Sequence, residues 1–175
     1  MKVVLMDRDG TVIDTPADHR VDSVEKVKLR PGVLEAMGGL AQHGFHVIFI
    51  TNQSGIAEGR IDDRTYSQVH DRMLELLAPS GINVLGTYVC PHEHTDNCAC
   101  RKPRTKMLLE AATDFDINLS TTYMVGDRMS DVGAGLNAGT KTILVQDKDR
   151  TTSTIAATYS ASDLYQAAQY IISNS

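Results

Sequence analysis

The first eleven residues, Met1-Lys2-Val3-Val4-Leu5-Met6-Asp7-Arg8-Asp9-Gly10-Thr11, decide how the chain is read. Four apolar residues, Val3 to Met6, break off into Asp-Arg-Asp-Gly-Thr. A short apolar run bounded by turn-forming residues predicts a buried strand. In an open α/β sheet, ligands bind outside the carboxyl ends of the strands. Two carboxylates one residue apart at such an end repel each other unless a positive group sits between or beside them. Hard divalent cations take carboxylate and carbonyl oxygens, so Asp7 and Asp9 point to one. With a cation present, Asp7 is suited to be an ionised nucleophile and Asp9 a proton-carrying acid. Gly10 permits close backbone approach, and Thr11 can cap or contact a phosphate. The competing reading is a strand followed by an ordinary Asp-Gly turn.

Working outward, 175 residues suit one domain with ample core. The balance of 42% hydrophobic and 22% charged residues is that of a globular protein. A net charge of −5 argues against nucleic-acid or membrane-surface partners. No apolar run approaches a membrane span, and no signal peptide is visible. A soluble, cytoplasmic, monomeric protein of one domain is the expectation.

The first strand's syntax recurs along the chain. Val47 to Ile50 ends in Thr51-Asn52-Gln53-Ser54-Gly55, which reads either as a turn or as an anion cradle of hydroxyls and backbone N–H groups. Thr122 to Val125 ends in Gly126-Asp127-Arg128-Met129-Ser130-Asp131, a second acidic strand end. If these strands are neighbours, Asp7, Asp9 and Asp127 converge and a Mg²⁺ site is the simplest reason. Asp127 and Asp131 share a face if a helix begins between them, although acids also cap helix starts without a metal. Helices are expected from Pro31-Gly32 to His43-Gly44, over 62–77 and 107–115, from Val132 to Ala138, and from Ser162, as cap, to Ile172. Further strands are expected at 83–89 and 142–145. Ile13 to Leu29 and Asp147 to Thr154 read as polar loops. The alternation predicts an α/β fold with a Rossmann-like parallel sheet and helices on both faces.

All three cysteines lie in Cys90-Pro91-His92-Glu93-His94-Thr95-Asp96-Asn97-Cys98-Ala99-Cys100. Cys90, His92, Cys98 and Cys100 form a Cys₃His set suited to tetrahedral Zn²⁺, with His94 as an alternative fourth ligand. No coordination position stays open, so the zinc is read as structural, replacing the core this polar loop lacks. Arg101-Lys102-Pro103-Arg104-Thr105-Lys106 follows as a basic island. It is either a solvated helix start or a pair of cations, Arg101 and Lys102, aimed by the loop at an anion.

Taken together, Asp7-x-Asp9-Gly10-Thr11, Thr51-Asn52, Lys102 and Gly126-Asp127-x₃-Asp131 resemble the four-motif set of the haloacid dehalogenase (HAD) superfamily, over residues 1 to about 146. The CPH…CxCRKP insertion is similar to the subgroup holding the histidinol-phosphate phosphatases and the D-glycero-D-manno-heptose-1,7-bisphosphate 7-phosphatases. The resemblance implies a phosphatase with Asp7 as nucleophile and Asp9 as general acid/base. It implies that Thr51 and Lys102 hold the phosphoryl group and that Arg101 contacts substrate. Mg²⁺ would be held by Asp7, the Asp9 carbonyl and Asp127. The first strand would lie between those ending at Thr51 and Asp127. No large cap domain fits between the motifs, so Asn52, Gln53 and Ser54, the segment Thr15-Pro16-Ala17-Asp18 and the zinc loop would border the substrate.

Two substrates compete. The runs TNQSGIA and YMVGD look like the heptose enzymes, whereas the five-residue gap between His92 and Cys98 looks like the histidinol-phosphate enzymes. A bisphosphate needs a second anion site, which Arg60, Arg101, Arg104 or Lys106 could form. Histidinol phosphate needs rim acids, for which Asp14, Asp18, Asp22, Glu93 and Asp96 are available. The matching runs lie at the phosphoryl site and loop length varies easily, so the heptose bisphosphate is favoured. Rivals are a phosphotransferase, a phosphatase of phosphoproteins or nucleic-acid ends, and a non-catalytic zinc-binding module.

Overall fold

Alternation along the first strand separates two cores. In the computed structural model, which describes residues 1–17, 21–145 and 156–175, the first strand is β1 (Lys2–Met6). Val3 and Leu5 face one side of the sheet; Val4 and Met6 face the other. All four are buried, because helices cover both faces.

The other strands are β2 (Phe45–Asn52), β3 (Asn83–Cys90), β4 (Tyr123–Gly126), β5 (Lys141–Val145) and β6 (Tyr159–Ala161). Their order is β3-β2-β1-β4-β5-β6 and every pairing is parallel. The helices are α1 (Val33–Gln42), α2 (Asp63–Leu77), α3 (Lys106–Asp114), α4 (Met129–Ala138) and α5 (Leu164–Ser173). Helices α1, α2 and α5 pack on Val4 and Met6, and α3 and α4 pack on Val3 and Leu5. β1 therefore sits between β2 and β4, as expected, and Asp7 N–H donates to the Val125 carbonyl at 2.8 Å just where the strands end. Among the described residues no further domain is inserted between the motifs.

Several boundaries differ from the sequence reading. β2 continues through Asn52, so Thr51 and Asn52 belong to the strand and pair with Val89 and Cys90. α4 begins at Met129, three residues earlier than expected, because the Asp131 carboxylate accepts the Arg128 N–H at 3.0 Å. α5 is capped by Asp163, whose carboxylate accepts from Gln166 N–H at 2.7 Å. Ser162 instead donates its own N–H to the Gln166 side chain, completing a reciprocal cap. The three-residue β6 is too short to leave a hydropathy pattern. Ile13, Val21 and Val27 are buried within the segment 13–29 that reads as a polar loop. The expected loop at 147–154 lies outside the described residues.

Candidate active site

The carboxyl ends of β1, β2 and β4 enclose a cleft of about 380 Å³. At its base Lys102 is buried and its ammonium donates three hydrogen bonds. These run to Asp7 Oδ1 at 2.6 Å, Asp131 Oδ1 at 2.7 Å and the Ile50 carbonyl at 2.6 Å. Three donors meet three acceptors, which fixes the amine in space. Burial alone would push its pKa down, but the carboxylates of Asp131 and Asp7 raise it, so Lys102 stays charged.

Asp7, Asp127 and Asp131 form a cluster whose ligand oxygens lie within 4.8 Å of one another. The Lys102 ammonium pairs with two of the three acids, Asp7 and Asp131. Burial, opposed by Lys102 and reinforced by Asp131 and Asp127, pushes Asp7 up to about 8. A divalent cation would satisfy this acid-only donor set and return Asp7 to its ionised form, so the residues fit Mg²⁺. Gly10 is needed here: its φ is +88°, and a Cβ would fall 2.5 Å from Asp127 Oδ2. A Cβ at Gly126 would strike Asp131. Thr11 Oγ1 is 3.5 Å from Asp127 Oδ1, a marginal contact.

The Asp9 carboxylate lies apart from this cluster. Both its oxygens accept from Arg8, Nε to Oδ2 at 3.0 Å and Nη2 to Oδ1 at 3.1 Å, and Oδ2 also accepts from Gln53 Nε2 at 2.5 Å. Gln53 further donates to Thr51 Oγ1 at 2.8 Å, tying the ends of β1 and β2 together. Asn52 is occupied by the main chain of Lys102, accepting its N–H at 3.0 Å and donating to its carbonyl at 3.3 Å. Gln53, Ser54, Arg101 and Thr15 line the cleft; Pro16 and Ala17 are not part of its wall, and Asp18 lies outside the described residues. Of the four proposed anion-binding cations, Arg60 and Arg101 line the cleft. Arg104 turns to Asn97 and the Cys98 carbonyl, and Lys106 pairs with Glu110 at 3.6 Å.

Sequence reasoning gave no role to Arg8 or Arg128, and read Asp131 as sharing a helix face with Asp127 or capping the helix start, without placing it among the site residues. The four-residue spacing from Asp127 was the available signal for Asp131. No pattern marks Arg8: its ion-pair partner is the adjacent Asp9, and the ring that backs it, Tyr66, comes from α2.

In the loop after β3, Cys90 Sγ lies 3.6 Å from both His92 Nδ1 and Cys98 Sγ, and 3.1 Å from Cys100 Sγ; His92 Nδ1 lies 3.2 Å from Cys100 Sγ. Zn–S bonds of ~2.3 Å would set tetrahedral sulfur–sulfur edges near ~3.8 Å, so the set can close on zinc with small shifts. Burial pushes the Cys90 thiol up to about 12, whereas Cys98, despite slight desolvation, is pulled to about 6 by the Arg101 N–H and neighbouring thiols. The thiols cannot all ionise together without a cation, which zinc would supply. The ring nitrogen grouped with the three sulfurs is that of His92, whereas His94 lines the cleft. Arg101 Nη1 donates to the His92 carbonyl at 3.1 Å, joining the loop to the cleft.

The HAD-hydrolase-like family model matches residues 99–167. A D-glycero-beta-D-manno-heptose-1,7-bisphosphate 7-phosphatase of Bordetella bronchiseptica is 39% identical over 146 residues, 83% of this chain and 81% of that protein. The histidine biosynthesis bifunctional protein HisB of Legionella pneumophila is 35% identical over 138 residues, 79% of this chain but 39% of that longer protein. Among solved structures, the B. bronchiseptica D,D-heptose 1,7-bisphosphate phosphatase complexed with magnesium and phosphate superposes with a TM-score of 0.92 at 34% identity, covering 100% of both chains. The corresponding enzyme from Burkholderia thailandensis gives a TM-score of 0.75 at 28% identity, covering 99% of each chain.

Proposed function

The chain belongs to the HAD-like phosphatases, and from that premise we propose that it is a Mg²⁺-dependent phosphomonoesterase working through an aspartyl-phosphate on Asp7. The observation that carries this reading is the buried constellation of Lys102, Asp7 and Asp131 beside Asp127. Asp7, Asp127 and Asp131, with the Asp9 carbonyl, would hold the cation, which when bound supplies positive charge to the phosphoryl oxygens. Lys102 adds a second, fixed positive charge at the same place. A carboxylate oxygen of Asp7 attacks phosphorus, and the bond to the leaving alkoxide breaks. That alkoxide takes the proton carried by Asp9. In the second half Asp9 takes a proton from water, whose oxygen bonds to phosphorus. The bond from phosphorus to Asp7 then breaks, restoring the carboxylate and releasing phosphate. Thr51 and Ser54 are read as phosphoryl contacts, Arg101 as a substrate contact, and Asn52 and Gln53 as supports.

The reading extends to one catalytic domain over residues 1–175, a structural zinc on Cys90, His92, Cys98 and Cys100, and a cytoplasmic monomer. Among the described residues no helix is long and apolar enough to cross a membrane.

For substrate, the outer cleft favours a bisphosphate. Arg60, Arg101 and Arg128 line it, against Asp22; Arg60 pairs with Glu58 at 2.7 Å and Asp22 with Lys26 at 2.9 Å, which leaves Arg101 and Arg128 as the rim cations. Such a rim attracts a second anion and repels the amine of histidinol phosphate. The relatives named as heptose-bisphosphate 7-phosphatases support the same choice. The test measures p-nitrophenyl phosphate hydrolysis with and without Mg²⁺, then kcat/KM for heptose 1,7-bisphosphate and histidinol phosphate. Mg²⁺-dependent turnover with the heptose bisphosphate preferred by more than about tenfold is expected. No hydrolysis sinks the phosphatase reading; the reverse preference sinks the substrate alone.

A further inference from the structure

Arg8 is 1% exposed, the largest fully buried side chain among the described residues, and sits in sequence between two acids. A guanidinium is costly to bury unless its partners compensate. Among the described residues its one ion pair is with Asp9, and its Nη1 makes no hydrogen bond. Its face lies 5.1 Å from the centre of the Tyr66 ring on α2. Tyr66 in turn stacks on His70 at 5.9 Å and 9°, and His70 meets Phe49 of β2 edge-on at 6.3 Å. The guanidinium is therefore backed by a wall of rings anchored in α2 and β2, while its fork engages both oxygens of Asp9.

A carboxylate has about four lone-pair positions. Arg8 Nε and Gln53 Nε2 fill those of Oδ2, and Arg8 Nη2 fills one on Oδ1. The remaining position belongs to Oδ1. An apolar residue would fill the space under Tyr66 without burying a charge, so the arrangement has a use that packing does not explain.

We propose that Arg8 is a positioning residue for the proton transfer carried by Asp9: backed by Tyr66, its fork fixes the carboxylate so that Oδ1 is the oxygen that exchanges a proton with the substrate. This rests on the phosphatase reading. The step is the one balanced above: the P–O bond to the leaving group breaks, and its electron pair takes the proton from Asp9 Oδ1. Arg8 itself gives up no proton.

A leaving group that is stable as an anion needs little protonation; a poor one needs it fully. Misplacing Asp9 should therefore cost activity in proportion to how poor the leaving group is. The probes are p-nitrophenyl phosphate, phenyl phosphate and β-glycerophosphate, compared through kcat/KM, which reports steps up to formation of the aspartyl-phosphate. The variants are Arg8→Met, Arg8→Lys and Tyr66→Leu, the last leaving Asp9 and its direct partners in place.

Arg8→Met should lose about a hundredfold with β-glycerophosphate and less than about threefold with p-nitrophenyl phosphate. Arg8→Lys keeps the charge but not the fork and should fall between. Tyr66→Leu should show the same graded pattern, more weakly, and gives an answer even if Arg8→Met fails to fold by circular dichroism. Losses equal across the three substrates would overturn the proposal and leave Arg8 a structural residue. If the wild-type enzyme hydrolyses none of the three, it is the phosphatase reading that fails.

Discussion

The side-chain amide of Asn52 grips the backbone of Lys102 at both ends, its oxygen accepting the Lys102 N–H at 3.0 Å and its nitrogen donating to the Lys102 carbonyl at 3.3 Å. Fifty residues separate the two in sequence. The clamp couples the end of β2 to the segment leaving the cysteine loop, and so sets where the ammonium of Lys102 stands. Asn52→Ala should remove two hydrogen bonds worth ~1 kcal/mol each. It should lower kcat/KM by about ten- to a hundredfold through displacement of Lys102. Steady-state kinetics beside thermal unfolding would check this; an unchanged kcat/KM rules the clamp out.

Replacing Asp7 by Asn keeps the shape but removes the nucleophile. Turnover of p-nitrophenyl phosphate should fall by about a thousandfold or more, with the circular dichroism spectrum unchanged. Retained activity would remove Asp7 from its proposed role.

The acid cluster also predicts a pH dependence of stability. Asp7 is raised from 3.8 to about 8 without a metal. The folded protein thus holds this proton more tightly than the unfolded chain does. The associated stabilisation is fully present below pH 3.8 and is lost as pH rises through about 8. Metal-free protein should therefore melt at a lower temperature at pH 8 than at pH 6. Mg²⁺ should raise the melting temperature more at pH 8, where the carboxylate is freer to bind it. Equal Mg²⁺ stabilisation at both values would argue against Asp7 as a ligand.

Gly10→Ala places a side chain at φ +88° with its Cβ 2.5 Å from Asp127 Oδ2. The backbone strain alone should cost ~1–2 kcal/mol. Displacement of Asp127 should raise the Mg²⁺ concentration for half-maximal activity severalfold. A Mg²⁺ titration of activity reads this directly.

Elemental analysis should find about one zinc per chain. Cys98→Ser should lose it, loosen the segment carrying Arg101 and Lys102, and raise KM more than it lowers kcat. A fully active protein without zinc, whose three cysteines all titrate as free thiols, would refute this role.

The sequence by itself determined the frame. Apolar runs ending in acid or hydroxyl residues marked β1, β2 and β4, because a strand buried on both faces leaves an uninterrupted hydrophobic signature. Asp7, Asp127, Lys102 and the Cys₃His set were legible because their chemistry is unusual where it stands: paired acids, clustered thiols, a basic island in an acidic chain. Tertiary structure alone decided what those groups do to one another. Asn52 reads in sequence as a substrate contact, and only the fold shows that, at the cleft wall, it also holds the backbone of Lys102. Asp131 looks like a helix cap until the same helix start brings it to the ammonium. Arg104 looks like an anion ligand, yet it turns back onto the cysteine loop. Arg8 has no meaning in sequence, since its ring wall comes from α2 and β2. Periodicity reports which side of an element is buried; partnership depends on crossovers of tens of residues that no local pattern records.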